Sequence, residues 1–77
     1  MGRIVKFSIV DAAGVGAAGQ KVTAGDFELT TTSTGAAQAL LDDGPTTVTV
    51  NGVTVFEGRV EDLRALEVFT ATGERIG

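Results

Sequence analysis

Seventy-seven residues, with no cysteine, no histidine, ten acidic against six basic side chains and a formal charge of −4, describe one small acidic domain spanning residues 1–77. The missing residue types exclude disulfide frameworks, thiolate and imidazole metal sites and every Ser-His or Cys-His catalytic arrangement, so the chain is not expected to be an enzyme or to hold a cofactor. Arg3, Lys6, Lys21, Arg59, Arg64 and Arg75 are scattered, and four Phe stand without Tyr or Trp, which is not the basic, stacking surface that nucleic acid requires.

A chain this short draws roughly 3 to 5 kcal/mol of net stability from its core. That thin margin points to oligomerisation or docking on a partner. No stretch has the length of a membrane span, and the N-terminus runs into a strand pattern without an apolar leader, so a cytoplasmic chain with no membrane association is expected. Gly2 does not start a myristoylation motif, because Lys6 stands where Ser or Thr is needed.

In chain order, Arg3 to Asp11 alternates with Val5, Phe7 and Ile9 on one parity, and predicts a first strand with a fully apolar face. Ile4 and Val10 lie on the other parity. The segment from Asp11 to Gly19 is rich in glycine and alanine and reads as a loop. It contains Gly14-x-Gly16-x-x-Gly19, the dinucleotide-binding spacing, but β-branched and aromatic strand material follows where that motif needs a helix. Gln20 to Thr32 predicts a second strand region, bent or bulged at Gly25, with Phe27, Leu29 and Thr31 on one face and Asp26, Glu28 and Thr30 on the other. Ser33-Thr34-Gly35 is a turn. Ala36 to Asp42 is assigned to a strand by its length and its position between turns, against the helical preference of its alanines.

Asp42-Asp43-Gly44-Pro45 is a turn signal leading into the most legible stretch, Pro45 to Gly58. Two β-branched runs flank Asn51-Gly52, the strongest short signal for a two-residue type I′ hairpin. That turn pairs Val50 with Val53, Thr49 with Thr54, Val48 with Val55 and Thr47 with Phe56. Val48, Val50, Val53 and Val55 then form a buried face, and Thr47, Thr49, Thr54 and Phe56 form the opposite one. Arg59 to Arg64 predicts a single helical turn that brings Val60 and Leu63 together; Ala65 to Ala71 predicts a last strand, and residues 72–77 a turn and tail. Six or seven short strands define an all-β fold, a small antiparallel sandwich of Greek-key or related type.

The order Val10-Asp11-x-x-Gly14, Gly19-x-x-Val22, Thr31-Thr32-x-x-Gly35, Leu41-x-x-Gly44 and Thr47-Val48-Thr49-Val50 resembles the carboxypeptidase-regulatory-like domain of the transthyretin-like (prealbumin) fold, over about residues 7–55. The resemblance implies a seven-stranded non-catalytic module of the kind appended to enzymes, surface proteins or phage and secretion machinery. Ala37 departs from it where a large apolar residue is usual, and Thr46 where Tyr is usual.

The adjacent acids Asp42-Asp43 and Glu61-Asp62 lack the Asp-x-Asp-x-Asp spacing of a Ca²⁺ loop and read as solvated turns. The threonine rows suit either an ordinary exposed strand face or a hydroxyl array for carbohydrate. Phe56 among threonines marks Thr47, Thr49, Thr54 and Phe56 as the candidate interaction face. The expected function is a structural or protein-interaction module, an accessory subunit or assembly component that packs on itself or on a protein partner. The alternative is a carbohydrate- or small-ligand-binding module.

Overall fold

Alternation over the first strand begins the core. In a computed structural model that describes residues 2–76, β1 (Gly2–Val10) buries Val5, Phe7 and Ile9 completely and turns Ile4 and Lys6 outward. β1 is central in a sheet ordered β4-β1-β7-β8, with β4 (Ala36–Asp42), β7 (Leu66–Thr70) and β8 (Arg75–Ile76). A second sheet, ordered β3-β2-β5-β6, contains β2 (Lys21–Ala24), β3 (Phe27–Thr30), β5 (Pro45–Val50) and β6 (Val53–Arg59). The fold is an all-β sandwich. The two sheets enclose Val5, Phe7, Ile9 and Phe69 from one side and Val22, Ala24, Val48 and Val50 from the other, each fully buried large apolar side chain contributing about 1.5 to 3 kcal/mol. Phe7 and Phe69 stack with ring centroids 6.2 Å apart.

Three features differ from the expected architecture. The region from Gln20 to Thr32 is a hairpin of two strands, β2 and β3, because Gly25 adopts φ 59° and reverses the chain where a bulge was expected. The tail includes the short strand β8; its last residue, Gly77, lies outside the described residues. The sandwich is also not wholly antiparallel, since β1 and β7 pair in parallel, Lys6 beside Leu66 through Val10 beside Thr70. A parallel pair needs a long crossover, and here five strands lie between its members.

A 3₁₀ turn, Val60–Asp62, carries the chain from one sheet to the other and buries Val60 and Leu63 together, as the i, i+3 spacing predicts. Arg3 holds it there: its Nη1 donates to the carbonyls of Val60 at 3.3 Å and Leu63 at 3.2 Å. The glycine-rich segment is a loop followed by strand β2, and no helix begins at Gly19. Gly16 lies so close to the turn before β4 that a Cβ there would sit 2.0 Å from the Thr34 carbonyl oxygen. Its glycine serves backbone contact between two loops, not phosphate binding.

Asn51 (φ 50°) and Gly52 (φ 85°) form the primed turn that the dipeptide predicts. Asn51 also ties the hairpin to its surroundings, accepting from the Lys21 N–H at 3.0 Å and donating to Gln20 Oε1 and the Ala71 carbonyl. The first two hairpin pairs are Val50–Val53 and Thr49–Thr54, as expected, but the register then shifts between Val48 and Thr49. Val48 faces Phe56, Thr47 faces Glu57 and Thr46 faces Gly58. Val55 is the extra residue. A one-residue shift exchanges the faces of everything after it, so Phe56 joins the core side of the sheet.

Candidate interaction surface

The expected face of Thr47, Thr49, Thr54 and Phe56 is divided by this bulge. The three threonines remain on the outer face of the β3-β2-β5-β6 sheet, with Thr47 and Thr54 exposed and Thr49 half-buried, its hydroxyl hydrogen-bonded to that of Thr23. Lys21 and Glu28 form an ion pair on the same polar face. Phe56 is instead half-buried against the core, its ring lying over Gly58, where an added Cβ would meet the ring at 3.1 Å. The reason is spatial: Gly58 has no side chain on the inner face, and the aromatic ring two residues earlier covers the gap.

Across the sandwich edge, the Arg75 guanidinium carbon stands 5.7 Å from the Phe56 ring centroid. The same guanidinium donates to both carboxylate oxygens of Glu67, at 2.8 Å and 2.9 Å through Nη2 and 3.2 Å through Nε. The Arg64 backbone N–H adds a fourth hydrogen bond, at 2.7 Å. Glu67 is therefore a buried charge that is paired and solvated by donors, as a buried carboxylate must be. Sequence reasoning missed it. The one available signal was an acid sharing the parity of Phe69 in a strand, with a basic residue eight positions on.

The adjacent acids serve the backbone. Glu61 accepts from the Gly44 N–H at 2.8 Å and pairs with Arg59 Nε at 2.7 Å, joining the turn after β4 to the 3₁₀ turn. The Arg59 hydrogen bond, followed by the Gly44 N–H, holds the Glu61 carboxyl below the usual glutamate range, and Glu61 in turn raises Arg59. Among the described residues, no three acidic side chains converge as a metal site. Thr46, the departure noted from the sequence, faces inward with 8 % exposure, and its hydroxyl has no hydrogen-bond partner among the described residues.

The apolar surface left to solvent lies elsewhere, on the outer face of the β4-β1-β7-β8 sheet. Leu40 (59 % exposed) stands directly opposite Ile4 (58 %). Leu66 (53 %) lies beside Lys6 and so diagonal to Ile4, and Val68 follows it on β7 with Ile76 opposite. These residues make a diagonal apolar stripe across all four strands. Ile4 was marked from the sequence as an outward apolar residue; Val10, marked with it, is buried, because the chain continues over it and Gly16 bridges to it.

Among the described residues, no helix is long and apolar enough to cross a membrane, which says nothing of a β-barrel. Comparison of the chain with protein-family models, with curated proteins and with solved structures gave no match.

Proposed function

We propose that the chain is a non-catalytic structural or protein-interaction module that docks through the outer face of its β4-β1-β7-β8 sheet. One observation carries this reading: Ile4, Leu40 and Leu66, three large aliphatic side chains each more than half exposed, are neighbours on one face of one sheet. Burying such a cluster against a partner contributes about 25 cal/mol for each Å² of apolar surface removed from water. Lys6 sits between them with no ion-pair partner among the described residues, so an acceptor on the partner would complete the contact. The opposite outer face, threonine-rich and laced by hydroxyl pairing and the Lys21–Glu28 ion pair, is suited to water.

The test is Leu66→Asp, which alters an exposed side chain and leaves the core untouched. Association, whether with itself by sedimentation or with a partner recovered by cross-linking, is expected to be lost in Leu66→Asp and retained in Thr54→Asp on the other sheet. A Leu66→Asp chain that associates as the wild type does refutes this surface.

A further inference from the structure

Each sheet has two edges, and three of the four are blunted in ways that discourage strand addition. β3 is four residues long and carries Glu28 in an ion pair, β6 is bulged and carries Glu57 and Arg59, and β8 is two residues long. β4 is different: it is seven residues in regular register with β1, and its only charge is Asp42 at the end. No charged residue occurs from Leu29 to Leu41.

The hydrogen bonds show which groups of β4 are unpaired. Ile9 N–H donates to the Gly35 carbonyl, toward β1, whereas the Ala36 carbonyl turns the other way and accepts from Thr32. In an antiparallel ladder this direction alternates by residue, so the N–H and C=O groups of Gln38 and Leu40 point away from β1, on the side where a cleft separates Gln38 from Leu29 and Thr30.

Resting on the reading of the chain as an interaction module, we propose that the β4 edge pairs with β4 of a second copy. The pairing is antiparallel about a two-fold axis at Ala39, and the two sheets become one of eight strands. This register places Gln38 opposite Leu40 of the partner subunit, both with outward-pointing backbone groups, and so forms two hydrogen-bonded pairs and about four main-chain hydrogen bonds. It centres the hydrogen bonds on Gln38 and Leu40, since the Ala36 carbonyl is already taken by the Thr32 N–H. Side-chain size and charge select it further. Leu41 falls opposite the small Ala37 of the partner subunit, and Ala39 faces its own copy. A cleft of about 600 Å³ whose walls include Lys6, Ala36, Ala37, Gln38 and Leu66 adjoins this half of the strand. The partner's Leu40, outward and exposed in the single chain, comes to its rim. Each Asp42 lies opposite Ala36 of the other copy, so the two carboxylates stand at opposite ends of the junction; a parallel pairing would set them side by side. The exposed Ile4–Leu40 pairs of the two copies then meet across the junction and extend the apolar stripe.

Two substitutions break the edge without touching the ladder to β1. Gln38→Pro removes an N–H that points away from β1, and Leu40→Lys places a charge on an exposed position of the edge. Sedimentation of the wild-type chain is expected to show a dimer, and both variants a monomer with unchanged circular dichroism. Because the chain lacks cysteine, register is read directly: a mixture of Gln38→Cys and Leu40→Cys chains should form a disulfide-linked heterodimer on mild oxidation, and neither chain alone should. A wild-type monomer up to millimolar concentration overturns the proposal, as does cross-linking of Leu40→Cys to itself. A dimer that survives both edge variants but is lost in Leu66→Asp also overturns it and leaves the docking face standing.

Discussion

Arg75 closes over Glu67 from the neighbouring strand, and the Glu67 side chain it covers has no exposed surface while the Arg75 side chain keeps 37 % of its own. The asymmetry sets the direction of the mutational effects. Removing Arg75 strands a buried charge, whereas removing Glu67 frees a cation that can turn to water. Arg75→Ala is expected to cost about 3 kcal/mol, the lower end for breaking a buried pair, and Glu67→Gln about 1 to 3 kcal/mol. Arg75→Lys should recover little, because an ammonium cannot reproduce the forked contact with both oxygens. Urea denaturation of the three variants measures this order.

Phe56 completes the same edge, with its ring over Gly58 and under Arg75. Phe56→Ala is expected to lower stability by about 2 kcal/mol, short of the value for a fully buried ring because Phe56 is only half-buried. Thr54→Ala, two residues earlier on the exposed face, should change stability by less than about 0.5 kcal/mol. Equal effects at the two positions would mean that the bulge does not turn Phe56 inward.

Gly16→Ala tests the contact between the glycine-rich loop and the Thr34 carbonyl. The added methyl would meet backbone that cannot rotate away, and a loss of at least about 2 kcal/mol is expected. With net stability of only roughly 3 to 5 kcal/mol, about 1 to 3 kcal/mol would remain, so the variant should stay mostly folded at room temperature but unfold at a markedly lower urea concentration than the wild type.

Glu61 gives the pH dependence. Its folded carboxyl titrates below the unfolded value, so its contribution is present above about pH 4.3 and is lost as the pH falls through the lower folded value. The stability difference between wild type and Glu61→Gln is therefore expected at neutral pH and should close in acid. Salt should also narrow it, since the Arg59–Glu61 pair is exposed. A difference that grows on acidification contradicts the assignment.

Local rules made much of the fold legible. Period-two alternation identified Val5, Phe7 and Ile9 as a core face, Asn51-Gly52 specified the hairpin turn, and i, i+3 spacing joined Val60 to Leu63, because each depends on residues a few positions apart. What those rules could not reach depended on neighbours distant in the chain. The bulge that sends Phe56 inward lies beside Arg75, from the far end of the sequence, and Glu67 is tolerable in the core only because that arginine arrives over it. The apolar stripe is likewise a product of strand order: Ile4, Leu40 and Leu66 are scattered along the chain and become neighbours only when β4 and β7 pair on either side of β1. Sequence alone determined the all-β class, the core face of β1 and the Asn51-Gly52 turn; the tertiary structure decided the bulge, the face of Phe56 and which outward residues share a surface, because pairing across strands joins segments that no local spacing connects.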